Sequence, residues 1–153
     1  MATDATTGPA GDPTPDSLRS ITLTRTAQGE YRAENGRGAV LDLGTGDTER
    51  FTPVELLLVA IAGCSAVDVD FLTSRRAEPE RFVATMEGHK AKDAGGNHMT
   101  GLRLTFDLAF PEGEAGDAAR SVIDRAIQQS HDRLCTVSRT VELGTPIEVR
   151  VSD

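Results

Sequence analysis

The chain has 153 residues, the length of one ordinary domain, and combines 38% apolar residues with no tryptophan. Its formal net charge of −8 repels phosphate backbones and anionic lipid surfaces, so neither nucleic acid nor a membrane is an expected partner. No uninterrupted apolar run approaches the roughly 18 residues of a membrane span, and the N-terminus has no secretory signal, which predicts a cytoplasmic protein with reduced thiols.

The amino-acid composition of the first 43 residues changes after residue 17. Residues 1–17 are rich in Thr, Pro, Gly and Asp and too poor in apolar residues to offset the ordering entropy, so we predict a disordered tail there. Residues 18–153 are predicted to form one folded domain. Within it, apolar and polar side chains alternate over residues 21–43, and turn signals at residues 28–29 and 35–36 divide this stretch into three segments. This pattern predicts a three-stranded antiparallel meander.

Residues 52–76 show the clearest helix pattern in the sequence. Thr52 is a good N-cap, Pro53 suits the first helical position, and Glu55 can reach back to the N–H of Thr52 to complete a capping box. Apolar residues occupy almost every face over residues 54–69. A helix that is apolar on most faces is buried, so we predict a buried central helix.

The second half of the chain continues with strands and one further helix. Two strand patterns, at residues 82–89 and 102–110, flank a Gly-rich turn. A second helix is predicted over residues 116–133, and Cys135 follows its end. A last strand is predicted where apolar residues alternate over residues 147–151. The element order predicts an α+β domain with antiparallel sheets around the central helix.

Each of the two cysteines lies in a distinctive context. Residues 52–69 read TPVELLLVAIAGCSAVDV and contain Cys64, and the second helix is followed by LCTVS, which contains Cys135. In these contexts the pair resembles the OsmC/Ohr family, whose signature helix carries one cysteine and whose second cysteine follows a long helix. The resemblance covers the chain from Ser20 to Val151. It implies an OsmC-like fold and an intertwined homodimer.

The resemblance also implies a thiol-dependent peroxidase that reduces organic hydroperoxides and is regenerated by a dithiol reductant. Cys64 would attack the peroxide and become a sulfenic acid, and Cys135 would condense with it to a disulfide. A nearby second thiol protects a sulfenic acid from further oxidation. No cofactor or metal is implied, since the three histidines make no cluster at metal-ligand spacing.

One departure from the family pattern concerns the start of the signature helix. The best-known hydroperoxide reductases of the family carry a carboxylate directly after the proline, where it holds an arginine that activates the cysteine. Here that position is Val54, and the acidic residue is Glu55, about 180° around the helix from Cys64. Glu55 is therefore either a capping residue or a substitute for that carboxylate. The Pro-x-Glu form resembles a less characterised branch of the family.

The activating arginine has three candidates in the first hairpins: Arg25, Arg32 and Arg37. Arg37 is the first choice and Arg32 the second, and we expect the correct one to lower the pKa of Cys64. The expected catalytic set is therefore Cys64, Cys135, Arg37 and Glu55.

Two further hypotheses stay open beside the peroxidase. The first is a ligand-binding or redox-sensing OsmC-like protein without efficient turnover, favoured by the missing carboxylate at Val54. The second is a cysteine hydrolase, for which the sequence offers only His131, four residues before Cys135. Asp68, four residues after Cys64, is expected to raise the pKa of that thiol unless a cation pairs with it.

Overall fold

The computed structural model describes residues 15–152 and divides between Pro53 and Val54 into two units. Of the tail predicted over residues 1–17, residues 1–14 lie outside the described residues, and Pro15–Ser17 form one 3-10 turn. Each unit contains one antiparallel sheet, and all the long helices follow residue 52. The α+β class predicted from the sequence is confirmed.

The N-terminal unit is built on a three-stranded antiparallel sheet. Its strands, in spatial order, are β1 (Ile21–Ala27), β2 (Glu30–Asn35) and β3 (Val40–Leu43). Gly29 in the first turn has φ 73°, a left-handed conformation that favours glycine. In the second turn the side-chain oxygen of Asn35 accepts hydrogen bonds from the N–H groups of Arg37 and Ala39, at 2.9 and 3.0 Å. The predicted meander is confirmed.

Helix α1 (Pro53–Ser74) begins the C-terminal unit. Its four buried residues, Ile61, Ser65, Val69 and Thr73, are spaced four apart and therefore share one face of the helix. The hydroxyl of Thr73 donates to the carbonyl oxygen of Val69 at 2.9 Å, which satisfies a polar group that no water reaches.

Fewer faces of α1 are buried than its apolar composition predicts. Val59, Val67 and Phe71 keep 49%, 55% and 64% of their surface exposed. All-round burial of this helix is therefore not observed in one copy of the chain. By length and composition alone α1 could cross a membrane, a criterion that the core helix of a soluble protein also meets.

A long antiparallel hairpin follows, formed by β4 (Arg81–Asp93) and β5 (Gly96–Ala109). Both strands are longer than predicted, because pairing continues up to the Gly-rich turn. Phe82 and Phe106 meet edge to face across the strands, with ring centroids 6.0 Å apart. This contact helps to fix the apolar face of the hairpin.

The helix predicted over residues 116–133 is interrupted. The segment consists of α2 (Glu114–Arg120), α3 (Ile123–Gln129) and a π-helical turn (Ser130–Leu134), and α4 (Thr136–Glu142) follows. The break before α3 falls at Val122, whose φ of −110° and ψ of −2° depart from helical values. Cys135 is extended, with φ −70° and ψ 96°, and separates the π-helical turn from α4.

The predicted last strand is not formed. Residues 145–152 have no regular structure, and Ile147, Val149 and Val151 are 88%, 87% and 94% exposed. A strand needs a neighbouring edge for its backbone hydrogen bonds, and no strand among the described residues pairs with this segment. The alternation of apolar residues is typical of a strand, but it does not show whether a neighbouring strand is available for pairing.

Candidate active site

The two cysteines lie together in the C-terminal unit. Cys64 is half-buried near the middle of α1, and Cys135 is buried, with 1% of its surface exposed, at the N-cap of α4. Both are free, and they lie close enough for each thiol to influence the pKa of the other. The structure thus brings together two of the four residues in the expected catalytic set.

Cys135 Sγ is surrounded by hydrogen-bonding groups. Ser138 contributes two of them, its N–H at 3.4 Å and its hydroxyl oxygen at 3.1 Å. The hydroxyl of Ser65 and the thiol of Cys64 also lie near this sulfur and act to lower its pKa. As a thiol, Cys135 donates to the Ser138 hydroxyl oxygen, whereas as a thiolate it accepts from the O–H group. These uncharged groups can therefore stabilise a thiolate without a cation.

The two thiols differ in pKa. Burial raises the pKa of Cys64, and the adjacent Cys135 raises it further, against the opposing effect of two N–H groups at the start of α4. Burial also acts to raise the pKa of Cys135, but the hydrogen bonds of Ser138 and Ser65 outweigh it and the net pKa is lowered. The pKa values of the two thiols are therefore shifted in opposite directions, and the expected lowering of the Cys64 pKa is not found.

Ser130 anchors the turn that precedes Cys135. It is 1% exposed, and its hydroxyl donates to the carboxylate of Asp68 at 2.9 Å. The carbonyl oxygen of Ser130 accepts the N–H of Cys135 at 2.9 Å. Asp68 therefore acts through a hydroxyl on the segment that carries Cys135. π-Helical turns of this kind occur frequently at functional sites.

A cavity of about 270 Å³ lies in the C-terminal unit. Ser138, which is hydrogen-bonded to Cys135, and Ser65, which acts to lower the Cys135 pKa, form part of its wall. Most of the other lining residues are apolar side chains of α1, the hairpin, α3 and α4: Ile61, Val69, Met86, Leu102, Leu104, Phe106, Ile127 and Val141. Neither cysteine lines the cavity, but its walls can take an apolar group close to Ser65 and Ser138.

The cavity also has an exposed polar rim. His131 Nε2 lies 3.8 Å from a carboxylate oxygen of Glu142, and both side chains are more than half exposed. The rim thus presents an acid and a base to any molecule that enters. His131 forms its contact with Glu142, so no Cys–His pair supports a hydrolase.

The remaining expected residues are Arg37 and Glu55. Arg37 is exposed in the turn between β2 and β3, in the N-terminal unit, and Glu55 is exposed in the first turn of α1. Glu55 and Thr52 both make polar interactions, and the start of α1 at Pro53 agrees with the capping pattern. The second-choice arginine, Arg32, forms a two-point ion pair with Asp42 at 2.8 and 3.2 Å.

Ser65 and Ser130 were not predicted as site residues. For Ser65 a signal existed, since it is a polar residue on the buried face of α1 and follows Cys64 directly. For Ser130 there was none, because the break in the second helix is not visible in the apolar pattern. Among residues 15–152, no group of three or more His, Cys, Asp or Glu side chains could hold a metal ion.

This chain is similar to proteins of one family. A family model described as OsmC-like protein matches residues 44–150, more than half of the chain. An uncharacterised protein of Mycobacterium tuberculosis is 28% identical over 138 residues, which make up 89% of this chain and 98% of that protein.

Two solved structures have a similar fold. An OsmC-like protein of unknown function from Vibrio cholerae superposes with a TM-score of 0.68 at 14% identity, over 82% of this chain and 94% of that one. A Legionella pneumophila organic hydroperoxide resistance protein OsmC superposes with a TM-score of 0.57 at 14% identity, over 81% and 88% of the two chains. The predicted OsmC-like fold is confirmed.

Proposed function

Because this chain belongs to the OsmC-like protein family, we propose that it is a thiol-dependent peroxidase that reduces organic hydroperoxides through Cys64 and Cys135. The observation that carries the proposal is the proximity of these two free thiols, each of which influences the pKa of the other. Two thiols in contact can supply two electrons and form a disulfide without a large rearrangement. The Legionella pneumophila protein of the same fold is named for organic hydroperoxide resistance.

In the proposed cycle Cys64 attacks because it is the more exposed thiol. Its sulfur forms a bond to the terminal peroxide oxygen, the O–O bond breaks, and the alcohol leaves. Cys135 then attacks the Cys64 sulfenic acid, so that an S–S bond forms and water leaves. A dithiol reductant opens the disulfide and restores both thiols.

The cavity supports a substrate with an apolar group. Hydrogen peroxide would fill only a small part of its 270 Å³, whereas the organic part of an alkyl or aryl hydroperoxide could bury apolar surface there. An organic hydroperoxide is therefore the proposed substrate, in preference to hydrogen peroxide.

The proposal includes an intertwined homodimer. Val59, Val67 and Phe71 are exposed on α1, and the apolar segment at residues 147–151 is unpaired. Apolar surface of this kind marks interaction sites, and a second copy could cover it. Sedimentation at micromolar concentration should give a dimer, and a folded monomer would contradict this part of the proposal.

Arg37 and Glu55 keep the roles that the resemblance gave them, as a cation near the reactive sulfur and an acid that orients it. Arg37 is preferred over Arg32 because the guanidinium of Arg32 is already paired with Asp42. The protein is proposed to act in the cytoplasm, where a reducing environment keeps both thiols free.

One observation favours the alternative of a ligand-binding or redox-sensing protein without efficient turnover. The raised pKa of Cys64 leaves a small fraction of that sulfur as thiolate near neutral pH, and the thiolate is the nucleophile. A sensor would be oxidised once and slowly, whereas a peroxidase would turn over.

The deciding experiment measures consumption of cumene hydroperoxide by the reduced protein in the presence of dithiothreitol. We expect many turnovers for the wild type, none for Cys64→Ser, and a disulfide between Cys64 and Cys135 by mass spectrometry of the oxidised protein. Cys135→Ser should react once and stop. Stoichiometric, slow oxidation of the wild type would support the sensor instead.

A further inference from the structure

We infer that a cleft between the end of α1 and α3 binds a phosphate group, either the free ion or the phosphate of a small organic ester. The wall of this cleft carries three arginines, Arg75, Arg76 and Arg125. No described residue lines both this cleft and the cavity near Ser138. The site is therefore separate from the cysteines, and the inference goes beyond the proposed function without resting on it.

Two segments of the C-terminal unit bring the arginines together. Arg75 and Arg76 form the turn that follows α1, which ends at Ser74. Arg125 and Gln129 lie four residues apart on α3 and therefore share one face of that helix. The cleft between the two segments has a volume of about 200 Å³, and Gln129 adds its amide to the wall. Cationic side chains from segments distant in sequence thus line one space.

Two of these arginines have no counter-charge within the chain. Over residues 15–152, neither Arg75 nor Arg125 makes an ion pair or a side-chain hydrogen bond. The neighbouring acids Glu78 and Asp124 are exposed, and none of the described residues that line the cleft is acidic. Like charges that share a cleft repel each other. An anion bound between the guanidinium groups would remove that repulsion, although the chain as a whole has a net charge of −8.

Arg76 makes the end of α1 compatible with an anion. Its Nη1 donates to the carbonyl oxygen of Leu72 at 2.9 Å. The C-terminal end of a helix carries partial negative charge, which disfavours an anion, and a cation at that end offsets it. A guanidinium group has five N–H donors. Arg76 therefore keeps donors for a ligand while it caps the helix.

The residues of the wall favour phosphate among small anions. Guanidinium groups bind phosphate oxygens through paired, charge-assisted hydrogen bonds, and three cations match a dianion better than the single charge of a carboxylate. The cleft has room for about six waters at about 30 Å³ each, more than a phosphate ion needs. Leu72, Val122 and Ala126 supply apolar surface against which the organic part of an ester can pack.

Binding is tested by isothermal titration calorimetry of the full chain with inorganic phosphate and, separately, with phenyl phosphate, at constant ionic strength. Arg75→Gln and Arg125→Gln should each weaken binding about three- to tenfold, the size expected for charge-assisted hydrogen bonds that solvent reaches. Arg133→Gln is the matched control and should bind like the wild type. Arg133 is exposed in the same unit and does not line the cleft.

The two ligands distinguish the source of the phosphate group. Equal affinity would assign the site to the free ion, whereas tighter binding of phenyl phosphate would assign it to an ester whose organic part contacts the apolar wall. The inference would be overturned if neither ligand binds saturably, if acetate binds as tightly, or if Arg133→Gln weakens binding as much as the cleft variants do.

A second measurement uses the wild type alone, and it decides the matter even where a variant fails to fold. Phenylglyoxal modifies accessible arginines, and peptide mass spectrometry follows each one. Saturating phosphate should slow the modification of Arg75 and Arg125 and leave that of Arg133 unchanged. Unprotected Arg75 and Arg125 would place any phosphate binding elsewhere on the chain and overturn the inference.

Discussion

The carboxylate of Asp68 and the hydroxyl of Ser130 are joined by a hydrogen bond, with 2.9 Å between Asp68 Oδ2 and Ser130 Oγ. This bond connects the middle of α1 to the π-helical turn, and the same Ser130 accepts the N–H of Cys135 through its carbonyl oxygen. An acidic residue in an apolar helix thus positions the segment that carries the buried thiol.

Removal of the Asp68 carboxylate should destabilise the fold. In Asp68→Ala the buried Ser130 hydroxyl loses its acceptor, which typically costs about 1–3 kcal/mol of unfolding free energy. Urea denaturation measures the change. Asp70→Ala is the matched control, because Asp70 is exposed on the same helix, and equal stability of the two variants would contradict the structural role of Asp68.

The stability of single-cysteine variants should depend on pH with opposite signs. In Cys64→Ser, the lowered pKa of Cys135 means that the folded state releases its proton first. Its contribution to stability is therefore fully present above the unfolded pKa of about 8.5 and is lost as the pH falls through the folded pKa. Cys64 has a raised pKa, so in Cys135→Ser its contribution is present below the unfolded pKa and is lost as the pH rises through the folded pKa.

The measurement compares each single variant with Cys64→Ser/Cys135→Ser across about pH 6 to 9. Relative to this double variant, the unfolding free energy of Cys64→Ser should increase with pH, and that of Cys135→Ser should decrease. Parallel curves for the two would show that the surroundings do not distinguish the thiols.

Glu142 should influence which hydroperoxides are accepted. Its carboxylate lies on the exposed rim of the cavity and repels a substrate that carries a carboxylate of its own. Glu142→Gln should raise kcat/KM for such anionic hydroperoxides about two- to fivefold relative to cumene hydroperoxide, a size typical of exposed charge interactions. Glu148→Gln, at an exposed charge that does not line the cavity, is the control, and an equal effect there would exclude a local role.

Arg37 should be needed for peroxide turnover and Arg32 should not. The Arg32 ion pair with Asp42 is exposed to solvent, so its loss in Arg32→Met should change the stability little. Arg37→Met should lower kcat/KM at least about tenfold with the fold intact, because a guanidinium stabilises nearby negative charge at any working pH. Wild-type turnover by Arg37→Met would assign Arg37 to the solvent-exposed surface.

The sequence predicted those helices and strands whose formation depends on residues close together in sequence. The meander over residues 21–43, α1 and the β4–β5 hairpin all follow from apolar periodicity and turn signals that act within short segments. The break at Val122 was missed because the apolar residues of α2 and α3 continue a single helical pattern across it.

The rest depends on contacts between segments that are distant in sequence. The pKa order of the cysteines is set by Ser65 on α1 and Ser138 on α4, which no spacing rule connects. The predicted strand at residues 147–151 failed for a similar reason, since a pattern shows which residues alternate but cannot show whether an edge is available. The family resemblance paired the cysteines, but the raised pKa of Cys64 depends first on burial, which the resemblance does not describe.

Oxidation of Cys64 and Cys135 to a disulfide would also restrict the conformations of the unfolded chain. A disulfide there closes a loop of about 70 residues, which by the chain-entropy estimate stabilises the fold by about 4 kcal/mol. The disulfide and the fold stabilise each other by the same free energy. The reduction potential of the disulfide is therefore about 90 mV lower in the folded protein than in the unfolded chain. The oxidised protein should therefore resist heat and proteases longer than the reduced one, and its melting temperature would report the redox state of the pair.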